Sequence, residues 1–225
     1  MKKRFFTLIT MMVGLVWLFA ACSQSNGGAG SIAGSGPMVT RDFEVSSFDA
    51  INITGGYGIV WRESTDVSVT VAIQENLLEH LDISVRNGTL YVEPQRSFST
   101  TGDNTPRIYI NTPYLTGISI SGAATASGWD TIQAESFSVE AWGSADLALN
   151  FDVESLDIRA DGAVYLDFTG NVSTANIVLN GTGRINIAVA DYLDVELNGV
   201  GSVRYTGNPT VTRNISGIGT VQQAE

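Results

Sequence analysis

The apolar positions of this chain fall on every second residue over most of its length, which is the period of half-buried strands and not the 3.6 of a helix. Between Asp42 and Pro94 the alternation runs through Ile51, Ile53, Ile59 and Trp61, then Val67, Val69, Val71 and Ile73. Gln74 to Leu81 (QENLLEHL) is the one stretch that reads as a helical turn. Ile83 and Val85 alternate up to Asn87-Gly88, and Leu90 and Val92 alternate after it. Asn and Gly accept the positive φ angles of a two-residue turn, so a β-hairpin is predicted there. Residues 96–106 (RSFSTTGDNTP) read as a loop and Arg107 to Ile110 as a further strand.

After Pro113 the alternation acquires a second, longer period. Six segments superpose on Gly122, Gly143, Gly162, Gly181, Gly199 and Gly217, at spacings of 21, 19, 19, 18 and 18. The flanking columns keep their chemistry. Two places before the glycine stand Ile120, Ala141, Ala160, Leu179, Leu197 and Ile215; four places before stand Ile118, Val139, Ile158, Ile177 and Val195, until Arg213 breaks the series. Two places after are the slim Ala124, Ala145, Val164, Gly183, Gly201 and Gly219, and four places after are Ala126, Leu147, Leu166, Ile185, Val203 and Val221. Intervening positions such as Glu140, Arg159, Asp146 and Arg184 are polar. One inward face therefore persists through a strand, a glycine and a second strand.

A closed turn of this length predicts an all-β protein, a right-handed parallel β-helix (solenoid) with coils of about 18–21 residues. Propeller blades need about twice the period, and leucine-rich repeats need a second, irregular half. The inward glycine permits a bend where a Cβ would crowd the core. Arg213 belongs to the last coil, where stacking ends. The regular coils are assigned to 113–221, and 42–112 to first coils or a cap, within one domain, 42–225.

Composition agrees, with 24 Gly, 44% hydrophobic and only 16% charged residues in 225. Net charge is −11, and no lysine follows Lys3. So acidic a surface repels phosphate backbones, which argues against nucleic acid as a partner.

The first 22 residues, MKKRFFTLITMMVGLVWLFAAC, place three positive charges before an apolar run and two small residues before Cys22, the only cysteine. The order is that of a secretory signal. It resembles the lipobox of bacterial lipoproteins, with Phe19 where the pattern usually has leucine. The resemblance implies cleavage after residue 21 and acylation (palmitate) of Cys22, since several acyl chains anchor stably where one does not. Ser23, which is not Asp, permits delivery to an outer membrane by resemblance to the enterobacterial sorting rule. Residues 22–41 then comprise the lipidated cysteine and a Gly/Ser tether. A single cysteine allows no internal disulfide and no cysteine-based zinc site.

Phe43 to Gly55 (FEVSSFDAINITG), followed by serial SISGAA, RADGAV, LNGTGR, LNGVGS and ISGIGT, resembles the "putative autotransporter adhesin, head GIN domain" family of bacterial surface proteins, over about Phe43 to Val221. The resemblance implies a β-helical, often lipid-anchored envelope domain and transfers no catalytic residue.

Chemistry is sparse. His80, the only histidine, sits between acids on a solvated turn and leaves no parts for a Ser-His-Asp triad or a histidine metal site. Asn180-Gly181-Thr182-Gly183 is followed by neither helix nor lysine, so it is no phosphate loop. Asp157, Arg159 and Asp161 alternate outward on one strand, and Glu140 is expected to stack beside Arg159 from the preceding coil; charge pairing on a wet face accounts for them. Trp142 stands in an outward column with Ser121, Asp161, Asn180, Asn198 and Ser216, and Tyr165 in another. Flat aromatic faces beside Asp and Asn suit sugar recognition, so Trp142, Tyr165, Asp161 and Arg159 are the candidate ligand-facing residues. No catalytic residue, metal or cofactor is expected. The reading is a noncatalytic envelope module binding a glycan or an envelope protein. Its alternatives are a β-helical polysaccharide-cleaving enzyme, motivated by Asp157 and Asp161, and a structural or assembly protein, motivated by the strand edge that an open solenoid leaves.

Overall fold

Residue for residue, each coil of the chain lies on the coil before it. The computed structural model, which describes residues 30–100 and 103–224, is a parallel β-solenoid of about six turns. Residues 1–21, read above as a signal, and Cys22 lie outside the described residues. Two short strands, β1 (Ile32–Ala33) and β2 (Met38–Phe43), precede the first coil, β3 (Ala50–Glu63). A cap then interrupts the coiling: β4 (Ser68–Gln74), a 3-10 helix (Glu75–His80), β5 (Leu81–Arg86), β6 (Thr89–Pro94), β7 (Phe98–Ser99) and β8 (Arg107–Thr112). Coiling resumes with β9 (Gly117–Ser127) and the 29-residue β10 (Ile132–Ala160). It continues through β11 (Ala163–Leu179), β12 (Thr182–Ala188), β13 (Tyr192–Leu197), β14 (Val200–Thr206), β15 (Thr210–Ile215) and β16 (Ile218–Gln223).

The columns read from the sequence are the hydrogen-bonded register. Ile118 pairs with Val139, Ile158 with Ile177, and Leu147 with Leu166 and onward to Ile185, Val203 and Val221. All of these side chains are buried. Burying a branched aliphatic side chain contributes about 1.5–3 kcal/mol, and stacking like on like fills the narrow interior without mismatch. Phe151 extends the stack with rings centred 5.3 Å from Phe137 and 5.1 Å from Phe168.

Glycines sit in the inward column because the coils touch there through their backbones. A Cβ at Gly143 would stand 2.0 Å from the Gly122 carbonyl oxygen, at Gly162 1.8 Å from that of Gly143, and at Gly181 1.9 Å from that of Gly162. Gly199 and Gly217 repeat the approach. The column also begins one coil earlier than the repeat suggests, at Gly55, which pairs with Gly122. The cap inserted between β3 and β9 hides that member from a search for regular spacing. Backbone freedom matters only in the upper coils, where Gly55, Gly122 and Gly143 have φ of +121°, +133° and +149°. From Gly162 downward the requirement is space alone.

The amino-terminal region is both first coil and cap. β3 pairs in parallel with β9, while β4 lies antiparallel between β2 and β8. The hairpin closes at Asn87-Gly88 with φ of +50° and +79°, and the predicted helical turn is the 3-10 helix. Two differences stand out. β1, within the stretch read as tether, pairs in parallel with β7, within the stretch read as loop. Asn76 anchors this edge by accepting from the Ser35 N–H at 2.7 Å and donating to the Ala33 carbonyl at 2.9 Å. Phe98 of β7 then reaches the Tyr57 ring edge-on, 6.2 Å between centroids. Burial raises the Tyr57 hydroxyl far above the ordinary phenol value, so the ring is a neutral part of the core.

The backbone contact is testable. Gly181→Ala should destabilise the domain by about 3 kcal/mol through crowding. Gly56→Ala, whose Cβ would meet nothing nearer than 3.9 Å, should leave the denaturant midpoint unchanged. Equal midpoints for the two variants would contradict the assignment.

Candidate functional site

The outward face presents three separate features, and the sequence pointed to one of them. In the column beside the glycines, residues from successive coils bond to one another. Asn180 Nδ2 donates to Asp161 Oδ1, Asn198 Nδ2 donates to Asn180 Oδ1 at 2.9 Å, and Ser216 Oγ donates to Asn198 Oδ1 at 2.6 Å. Arg159 Nε donates to Asp161 Oδ2 at 3.0 Å, and Trp142 stands next to the same carboxylate from the coil above. Arg159 thus turns along its own strand to Asp161 and does not pair with Glu140, because a two-residue step on one face brings the guanidinium directly to that carboxylate.

The structure therefore brings Trp142, Asp161 and Arg159 together. Tyr165 stays apart, in register with Asp146 and Arg184. Trp142 is 42% and Tyr165 43% exposed. Asp161 is held below the ordinary carboxylate value, first by the Asn180 bond and then by Arg159 and Trp142, with partial burial opposing. It is a stabilised anion and a poor proton donor at neutral pH. Asp157 accepts from Asn176 Nδ2 at 3.2 Å. Each carboxylate that motivated the enzyme alternative is thus an acceptor for an asparagine one coil below.

Two recesses were not visible in the sequence. One is a pair of adjoining shallow grooves, about 410 and 500 Å³, across three coils of β10 and β11. Glu135, Asp152, Glu154, Ser155, Ser173 and Thr174 line them. The signal was present, since Glu135, Glu154 and Ser173 share a column at a spacing of 19, but a column does not reveal concavity. The other, about 290 Å³, lies where the hairpin tip meets the first coil and is lined by Ser47, Phe48, Asp49, Thr65, Val67, Gly88, Pro113 and Tyr114. Tyr114 is 55% exposed at its rim. Its parts come from four separate segments, which only the cap assembles. Among the described residues no group of three or more His, Cys, Asp or Glu could hold a metal ion, and no helix is long and apolar enough to cross a membrane.

A stack of short coils with bonded polar columns outside, and recesses of carboxylates, hydroxyls and single aromatic rings, defines a β-solenoid that carries its polar chemistry on the outer face. The family model described as "Putative auto-transporter adhesin, head GIN domain" matches residues 47–224, and the chain belongs to that family. Its fold is similar to that of a putative adhesin from Bacteroides fragilis, at 22% identity and TM-score 0.71, covering 86% of this chain and all of that one. It is also similar to a putative adhesin from Parabacteroides distasonis, at 18% identity and TM-score 0.55, with 87% of this chain and 100% of that one covered. A protein described as a putative lipid binding protein from Parabacteroides distasonis gives 21% identity and TM-score 0.51, with 87% and 100% covered. No curated protein matches the chain. Membership of this family supports a noncatalytic, adhesion-type role and an envelope or surface location.

The polar column carries a pH dependence. A carboxylate whose value is depressed on folding stabilises above its unfolded value, about 3.9 for Asp, and loses that contribution as pH falls through the folded one. Asp161→Asn should therefore lower the denaturant midpoint at neutral pH, with the gap to the parent closing below about pH 4. A gap independent of pH would mean that the charge of Asp161 does not contribute.

Proposed function

We propose that this chain is a lipid-anchored, noncatalytic module of the bacterial outer membrane that binds a glycan through exposed aromatic rings on its solenoid. The observation that carries the reading is the half-exposed Trp142 ring, which stands in the outward column beside Asp161 and its partner Arg159. A rigid ring with only two side-chain torsions loses little freedom when a sugar stacks on it. The Asp161 and Arg159 groups beside it offer an acceptor and a donor for hydroxyls. Tyr114, above its recess with Asp49, Ser47 and Thr65, repeats the chemistry on the cap. Net charge of −11 disfavours polyanionic glycans and favours neutral ones. Residues 1–21 act as the signal, and acylation of Cys22 supplies the anchor.

Mass spectrometry of protein purified from bacterial membranes should show loss of residues 1–21 and acyl mass on Cys22. An intact precursor with a free thiol would refute the anchor. Incubation with a panel of neutral glycans should show retention without new reducing or unsaturated ends. Trp142→Ala should weaken retention by about tenfold or more, the scale of a lost stacking anchor. Product formation abolished by Asp161→Asn would replace the binding reading with the enzymatic one. Retention reduced by Tyr114→Ala and not by Trp142→Ala would move the site to the cap.

A further inference from the structure

The two ends of the solenoid are built differently. At the amino-terminal end the outer strands are antiparallel and charged: β2 carries Arg41 and Asp42, and the hairpin strand β5 carries Asp82 and Arg86. Such charges and crossings keep an edge from pairing with foreign strands. At the other end, among the described residues, β15 pairs only with β13 and β16 only with β14. Across these two strands the only charged residue is Arg213. From Leu197 to Ala224 there is no carboxylate at all, in a chain of net charge −11.

Backbone alternation identifies the free groups. The N–H groups of Thr210, Ile218 and Ala224 donate back to the preceding coil, to Asp191, Gly199 and Tyr205. In a parallel ladder alternate residues face opposite neighbours, so Val211, Arg213, Ile215, Gly219, Val221 and Gln223 direct theirs to the open side. The chain confirms the parity: the Arg213 guanidinium folds across the end of the core to the Val221 carbonyl, 3.2 Å away. Arg213 is therefore a lid on one acceptor, and the edge-facing donors remain open. Apolar surface gathers at the same end, with Ile218 76%, Val200 49% and Ile215 39% exposed, and Val200 pairs with Ile218 in one outward column.

We propose that the carboxylate-free end coil is a self-association surface, on which β15 and β16 pair with the same strands of a second copy related by a two-fold axis. Charge selects this occupant and direction. Two acidic copies repel along their sides, whereas the last coil and a half bears only Arg204 and Arg213. The charged, antiparallel edges at the other end oppose head-to-tail stacking, so the contact closes as a dimer and does not extend into a fibre. A two-fold axis across the coil plane sets the parallel strands antiparallel to their mates and supplies acceptors for the open donors, the Val221 carbonyl covered by Arg213 excepted.

The test uses the chain from Ser31 onward, which holds the whole described core. Sedimentation should show a concentration-dependent monomer–dimer equilibrium. Hydrogen exchange should slow, as concentration rises, at the amides of residues 211, 213, 215, 219, 221 and 223, and not at those of β10. Ile218→Glu, at a solvent-exposed position that should tolerate the change, should raise the dissociation constant by about tenfold or more without lowering the thermal midpoint of the monomer. A monomer at every concentration would overturn the proposal. So would a dimer whose edge amides exchange at monomer rates, which would place the contact on another face.

Discussion

Close contact between the backbones of successive coils at one glycine column is the constraint on which the rest of this structure depends. Strands in register lie 4.7–4.9 Å apart, and at the bend the chain leaves no room for a Cβ beneath the carbonyl above it. Gly162, Gly181, Gly199 and Gly217 each meet the previous glycine's carbonyl oxygen at less than an ordinary contact distance once a Cβ is placed. With the bend fixed in every coil, the positions two and four residues to either side are held inward. Their side chains must then match the layer below in size, which is why columns of Ile, Val and Leu repeat.

The same register governs the exterior. Because each coil places like positions one strand apart, an Asn or Ser in one coil meets the carboxylate or amide of the next. Asp161, Asn180, Asn198 and Ser216 form such a line, and Asp157 with Asn176 and Asp167 with Asn186 repeat it elsewhere. These bonds tie the polar atoms of each coil to the coil next to it. Recesses and edges add to this regular face: the cap inserted after β3 makes one recess, shallow grooves lie across β10 and β11, and the last coil among the described residues has an edge without a paired strand.

The ends show how one repeat meets two boundary conditions. At the amino-terminal end the inserted strands cross the stack, bury Tyr57 and Trp61, and present charged edges to water. In the last coil among the described residues, a single arginine, Arg213, is laid over the Val221 carbonyl. Arg213 stands in a column that is otherwise apolar, and among the described residues no further coil packs against it.

The repeat, its inward columns, the hairpin at Asn87-Gly88 and the outward placement of Trp142, Tyr165, Asp161 and Arg159 were legible in the sequence. Strand alternation and a fixed coil length are one-dimensional properties, and a parallel in-register stack converts them directly into position. Gly55 also belonged to a readable pattern, since Ile51, Ile53 and Gly55 repeat Ile118, Ile120 and Gly122. Its distance along the chain concealed it, because the inserted cap separates two coils that touch in space. The pairing of Ile32 with Phe98, the recess beneath Tyr114 and the groove beside Glu135 were decided by the tertiary structure alone. Each depends on segments far apart in sequence meeting at a particular angle, and period carries no information about that. Arg159 shows the boundary most closely: its outward direction followed from alternation, but its choice of Asp161 over Glu140 was settled by the distance between two side chains on one strand.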